Sequence, residues 1–186
     1  MSDTLCRQQA SQLVIIDIQE KLGGAMPDKV LNRVLKNTVM LIDAAGRLDI
    51  PVTVTEQYPK GLGPTCSQIT AALPKNASRI EKTDFSCAHV KEFRDVTANA
   101  DRLQLILAGM EAHICVLQSA LDLRSDGLQV IVVEDAICSR RLENYESAIN
   151  RLRHAGVIVT NSESVIFEWL RGARHEHFKA VSALVR

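Results

Sequence analysis

Leu103-Gln-Leu-Ile-Leu-Ala-Gly109-Met-Glu-Ala-His-Ile-Cys115-Val decides how this chain is read. Residues 103–109 form a nearly continuous apolar run closed by glycine, the pattern of a strand buried on both faces. From Ile114 to Ser125 the spacing turns helical, so Cys115 falls in the first turn of a helix, just past the carboxyl end of a strand. Open α/β sheets gather their ligands at that edge. The positive end of a helix dipole favours a thiolate there, which marks Cys115 as a candidate nucleophile. The alternative is a small packed hydrophobe, the fate of most cysteines.

The alternation of apolar run and helical period continues in both directions. Leu13-Val-Ile-Ile-Asp17-Ile reads as a first strand, and residues 28–49 as a helix with Val30, Val34, Leu35, Leu41, Ile42 and Ala45 on one face. Asp28 after Pro27 is the candidate cap of that helix. Pro51-Val-Thr-Val-Thr55 is a second strand, and residues 56–65, with two prolines and two glycines, read as loop. A weak helix over Ser67 to Leu73, an extended piece over Ser78 to Lys82 and a helix over Val90 to Val96 precede the run at Leu103. Strand Gln129 to Glu134, helix Leu142 to Ala155, strand Val157 to Thr160 and a mostly helical remainder follow it. The expected architecture is α/β: one three-layer α/β/α domain over residues 1–186, with a mainly parallel, Rossmann-like sheet of about six strands.

Composition narrows the function. Twenty-two Lys and Arg balance twenty-two Asp and Glu, for a formal net charge of zero. Electrostatically driven partners need concentrated positive charge, so neither nucleic acid nor an anionic membrane is expected. Near-zero net charge favours self-association. The five cysteines (Cys6, Cys66, Cys87, Cys115 and Cys138) form no C-x-x-C pair. Scattered thiols suit a reducing compartment. The stretch from Met1 to Ala10 has no apolar signal core and no run is long enough to span a bilayer, so a cytoplasmic location is expected. Cys87 and Cys138 are expected to be packed, and Trp169 with Val165 and Ile166 to sit in the core or at a subunit interface.

The metal and nucleotide motifs are weak. His89, His113, His154, His175 and His177 show no ligand grouping. The nearest pair, His175-Glu-His177, would point to different sides of a helix, whereas metal ligands must converge. Gly23-Gly24 lacks the G-x-G-x-x-G or Walker spacing of a phosphate loop. No metal and no cofactor are expected.

Asp17, Lys82 and Cys115 all fall at the carboxyl ends of separate strands, and chemistry makes sense of them as a set. A cysteine nucleophile needs a group to take its proton, which Asp17 can do as general base. Lys82 would favour the anion and steady developing charge. Taken singly, each has a structural reading: an aspartate ending a strand caps loops, and a lone lysine is usually solvated.

Four spaced motifs then carry a family resemblance: Val14-Ile-Ile-Asp17-Ile-Gln19, Glu81-Lys82-Thr-Asp-Phe85-Ser, Ala108-Gly109-Met-Glu-Ala-His-Ile-Cys115-Val and Val132-Val-Glu-Asp135-Ala-Ile-Cys-Ser139. In this order they resemble the isochorismatase-like cysteine hydrolases over nearly the whole chain. Thr55-Glu-Gln-Tyr-Pro59-Lys-Gly-Leu-Gly63-Pro-Thr65 resembles the isochorismatase domain-containing subgroup. The resemblance implies a Cys-Asp-Lys triad acting on an amide or related C–N bond of a small molecule, with Cys115 as nucleophile, Asp17 as general base and then acid, and Lys82 as electrostatic partner. It also implies a non-proline cis peptide at Met110-Glu111, which would turn the Glu111 N–H toward the site as an oxyanion donor beside the Cys115 N–H. The family's nicotinamidases carry metal ligands after the second strand, where this chain has Glu56-Gln57-Tyr58-Pro59, so a metal-independent hydrolase is expected.

Gln19, Glu56, Gln57, Tyr58, Phe85 and His113 lie beside the triad in sequence and are expected to line the pocket, with Tyr58 and Phe85 as apolar walls and Gln57 as a hydrogen-bonding arm. Loop capping is the other reading of Glu56 and Gln57. The family's habit implies a homo-oligomer, with the helical C-terminal third as the expected interface. Two readings of a different class stay open: a catalytically idle scaffold that binds a partner protein, and a thiol redox sensor built on Cys115.

Overall fold

The computed structural model describes residues 4–185. Met1 to Asp3 and Arg186, parts of the expected 1–186 domain, lie outside the described residues. Six strands, β1 (Ser11–Ile16), β2 (Val52–Gln57), β3 (Ser78–Lys82), β4 (Gln104–Met110), β5 (Gln129–Cys138) and β6 (Ile158–Thr160), form one sheet in the order β3-β2-β1-β4-β5-β6. Every pairing is parallel. The helices are α1 (Glu20–Gly23), α2 (Asp28–Arg47), α3 (Pro59–Leu62), α4 (Ser67–Ala72), α5 (Lys91–Asn99), α6 (Leu117–Ser125), α7 (Leu142–His154), α8 (Ser162–Leu170) and α9 (Phe178–Ser182).

Two hydrophobic layers cover the sheet, which is why its strands read as continuous apolar runs. Alternate residues of β1 divide between them. Leu13 and Ile15 pack with Val34, Leu41 and Ile42 of α2 and with Ile166 and Trp169 of α8. Val14 and Ile16 pack with Phe93 of α5, Leu117 and Leu123 of α6 and Leu152 of α7. Trp169 is fully buried and donates its indole N–H to Ser11 Oγ at 3.0 Å. It is therefore a core residue with a satisfied polar tip, and no part of an interface. Val165 and Ile166 are buried with it. Cys87 and Cys138 are buried as well, each in one of the two layers.

Local chemistry sets the ends of these elements. Asp28 lies in the first turn of α2, where a negative charge complements the helix dipole, but the cap position itself falls to Pro27 with no side-chain cap bond. Asn161 caps α8 by accepting from Ser164 N at 2.8 Å. The Asp135 carboxylate adds bonds from Ser162 N and Ser162 Oγ.

Several boundaries depart from those expected, each where pairing overrides local composition. β2 continues through Glu56 and Gln57 because they pair with Glu81 and Lys82 of β3, and residues 59–62 make a helical turn inside the supposed loop. β5 runs to Cys138, past an irregularity opposite Ala108, so that Cys138 pairs with Met110. Residues 112–116 are a π-helical turn and α6 begins only at Leu117, so Cys115 stands just ahead of the regular helix. Residues 171–177 contain no helix, and His175 and His177 sit there with ring centroids 5.8 Å apart. No helix among the described residues is long and apolar enough to cross a membrane.

Candidate active site

The strand order reverses its direction of growth at β1, with β2 on one side and β4 on the other. Such a switch point leaves a crevice at the carboxyl ends of the two strands. Asp17 ends β1 and the Cys115 turn follows β4, so both belong to that crevice, and Lys82 ends β3 two strands away. Asp17 adopts a left-handed φ of 53°, which breaks the strand. Its neighbour across the crevice is Gly109, at φ 140°, where a Cβ would stand 2.1 Å from the Ile16 carbonyl oxygen. Only glycine lets β4 approach β1 this closely.

Lys82 reaches back under β2 to Asp17. Its Nζ lies 2.7 Å from Asp17 Oδ2, and both side chains are fully buried. The same ammonium donates toward Gln57 Oε1 at 2.6 Å and toward the carbonyls of Asp84 and Phe85 at 3.2 and 3.1 Å. Thr55 donates its hydroxyl to Asp17 Oδ1 at 2.7 Å. The Cys115 thiol is close enough to Asp17 and Lys82 for both charges to act on it. All three groups of the candidate triad therefore meet, with Cys115 only 5% exposed.

Burial first, then the Asp17 carboxylate, push the Cys115 thiol up to about 12, against the pull of Lys82. The expected helix-stabilised thiolate is thus corrected: desolvation outweighs the lysine, and the π turn separates the sulfur from the regular helix terminus. Burial and the neighbouring carboxylate thus favour the neutral thiol at Cys115.

The Met110–Glu111 peptide bond is cis. The Glu111 carbonyl accepts from Ile114 N and Val116 N, which builds the turn carrying Cys115. The Glu111 carboxylate points away toward Arg140, whose backbone N and Nε it accepts at 2.9 and 3.0 Å.

The six expected pocket residues divide by task. Gln57 spends its carboxamide on Lys82 and on the Thr83 carbonyl, so it is no free arm for a ligand. Gln19 exchanges bonds with the Gln57 backbone at 2.7 and 3.1 Å and reaches Gly63 O, which fastens the loop after β2 to β1. Glu56 accepts from Thr65 N, Thr65 Oγ1 and Arg79, and these partners hold its carboxyl below the usual range although burial opposes them. It is a loop clamp. His113 is engaged by Ser139 Oγ at 2.9 Å and Asn144 Nδ2 at 3.3 Å, on the side of the β5–α7 corner. Tyr58 and Phe85 are 56% and 52% exposed and flank the Lys82 end of the site. A cavity of about 410 Å³ lies there, lined by Tyr58, Glu81, Lys82, Asp84 and Val90 among others, while Asp17 and Cys115 stay outside its lining.

Sequence reasoning passed over Thr55 and Arg140. Thr55 had a signal, since it ends the second apolar run and pairs in register with Ile16, next to Asp17. Arg140 had none: its role depends on where a corner twenty-nine residues from Glu111 happens to fold. Among the described residues no group of three or more His, Cys, Asp or Glu side chains converges as a metal site would require.

Fold and crevice together define an isochorismatase-like hydrolase. Residues 11–164 match the Isochorismatase domain family, and the chain belongs to it. It is 32% identical over 178 residues to isochorismatase domain-containing protein 2 of Xenopus laevis, covering 96% of this chain and 84% of that one. A solved structure from Caenorhabditis elegans, described as MAR1 ribonuclease, superposes with a TM-score of 0.92 at 38% identity, covering 97% of this chain and 92% of the other. YcaC of Escherichia coli, described as an octameric hydrolase of unknown specificity, gives a TM-score of 0.89 at 25% identity over 99% and 90% of the two chains.

Proposed function

We propose that the protein is a metal-independent cysteine hydrolase that cleaves a C–N bond in a small amide-like molecule through a covalent intermediate on Cys115. The observation that carries this reading is the buried Asp17–Lys82 ion pair, 2.7 Å long, whose charges both act on the Cys115 thiol beside the switch point. A neutral thiol against a carboxylate suits attack coupled to proton transfer. Cys115 Sγ bonds to the substrate carbonyl carbon as its proton passes to Asp17. The oxyanion is received by the N–H groups of Glu111 and Cys115. The C–N bond then breaks as Asp17 returns the proton to the leaving amine, and water hydrolyses the thioester.

The high thiol pKa and slight exposure argue against a redox sensor, since such cysteines are accessible and thiolate-rich. An idle scaffold has no use for a buried charge pair aimed at a thiol. The C. elegans relative is described as a ribonuclease, but a net charge of zero offers this chain little affinity for a phosphate backbone. The chain acts as a homo-oligomer, a reading supported by the octameric E. coli relative.

Acyl trapping tests the proposal. Exposed to a small activated acyl donor such as p-nitrophenyl acetate, the protein should carry an acyl group on the Cys115 peptide. Cys115→Ser should abolish the adduct there and Lys82→Met should slow it. Acylation spread evenly over the five thiols, or none at Cys115, would refute the assignment, and release of nucleotides from RNA by the Cys115-intact protein alone would favour the ribonuclease reading.

A further inference from the structure

We infer that Arg140 is a positioning residue for the oxyanion-binding N–H of Glu111, an inference that rests on the cysteine-hydrolase reading above. Glu111 is held at two of its three polar groups. Its carbonyl is taken by Ile114 N and Val116 N. Its carboxylate, on a residue only 4% exposed, takes Arg140 N at 2.9 Å and Arg140 Nε at 3.0 and 3.2 Å. The third group, the backbone N–H that follows the cis bond, is the one assigned to the oxyanion.

This pair differs from an ordinary surface salt bridge in what its loss would do. The Arg140 guanidinium is 56% exposed and can leave cheaply, whereas the Glu111 carboxylate is enclosed. An enclosed carboxylate deprived of its cation is costly in place and relaxes by moving toward water. That movement drags the residue whose N–H must sit within hydrogen-bond reach of the oxyanion. Arg140 also cancels a negative charge that would otherwise lie on the very residue meant to receive another one. The surrounding contacts point the same way. Met110 pairs with Cys138, and His113 bonds Ser139 and Asn144, so the turn from 110 to 116 is laced to the corner from 138 to 144 along its length. Among these ties, the Glu111–Arg140 pair is the charged one, and it acts on the residue next to the cis bond.

Two reactions of the same sulfur separate positioning from general support. Acylation by p-nitrophenyl acetate passes through an oxyanion, and alkylation by iodoacetamide does not. Arg140→Ala should lower the rate of Cys115 acylation by roughly tenfold to a hundredfold, the scale of a misplaced catalytic group, while alkylation stays within about twofold. Arg140→Lys should recover part of the loss, and Glu111→Gln, which still accepts from the Arg140 backbone N–H, should fall between. Unchanged acylation in both Arg140→Ala and Glu111→Gln would overturn the inference, as would a parallel fall in acylation and alkylation. Should Arg140→Ala not fold, Arg140→Lys and Glu111→Gln carry the same comparison. Failure of the parent reading looks different: the unaltered protein would then form no acyl adduct at Cys115 at all.

Discussion

Asp17→Asn should make Cys115 easier to alkylate while making the protein less stable and less able to turn over an acyl donor. The thiol is held near 12 by burial and then by the Asp17 carboxylate, with Lys82 pulling the other way. Asparagine removes the anion and leaves the lysine unopposed, so the thiol must fall. Removing a neighbouring like charge commonly moves a pKa by roughly 1–3 units, which raises the thiolate fraction about tenfold to a thousandfold at a fixed pH near 8. Stability moves in the opposite sense. Breaking a buried ion pair by removing one partner costs roughly 3–5 kcal/mol. The lower end applies here, because Lys82 keeps Gln57 Oε1 and the carbonyls of Asp84 and Phe85. For a chain of this length that corresponds to a Tm lower by about 6–12 °C. Iodoacetamide kinetics with peptide mapping checks the first effect and thermal unfolding the second. Cys87 and Cys138, both buried with thiols pushed up to about 12, are internal controls for loosening. An Asp17→Asn protein in which Cys115 alkylates no faster than before, or only together with Cys87 and Cys138, would refute the electrostatic account of the site.

Two further outcomes follow from burial and exposure. Cys87, Cys115 and Cys138 are raised from 9.0 to about 12 in the folded chain, so below pH 9 they are protonated in both states, and above it the unfolded chain loses protons that the folded one keeps. Stability should therefore be full below about pH 9 and fall by roughly 1.4 kcal/mol per pH unit per thiol above it; urea midpoints that stay level from pH 8 to about 10 would contradict this. Light scattering across working concentrations should give a mass above that of the 20.5 kDa chain, whereas a strictly monomeric mass would remove the proposed oligomer.

The fold was legible because this sheet is covered on both faces, which forces whole strands to be apolar and makes each a run in the sequence. Asp17, which follows such a run, could be picked out for the same reason, whereas Lys82 ends an edge strand whose one apolar residue is Ile80. Glu56 and Gln57 misled because their polarity and the prolines behind them mimic a loop, while the decisive fact is their register with Glu81 and Lys82. Their neighbours in sequence also gave no clue to direction. Thr55 and Gln57 face Asp17 and Lys82, and Glu56 between them points to Thr65 and Arg79, as the two-residue period of a strand requires. The Cys115 environment failed for another reason. A helix terminus can be read from sequence, but the π turn and the depth of the sulfur are tertiary facts, and depth sets the sign of the pKa shift.

That depth constrains how the chemistry runs. A thiol pushed up to about 12 by burial and by Asp17 keeps its proton at neutral pH, which disfavours a standing thiolate. Taking Asp17 and Lys82 as the ion pair they form, with Cys115 neutral, the trio sums to zero. Moving the proton from sulfur to Asp17 also gives zero, now as a thiolate beside an ammonium and a neutral carboxylic acid. Attack shifts the negative charge onto the substrate oxygen without changing the sum. The buried site therefore never holds net charge at any step of the proposed path, which is the condition for reacting in a medium that screens poorly. Free thiolate beside an ionised Asp17 would break neutrality, and it is the arrangement disfavoured by the raised thiol pKa.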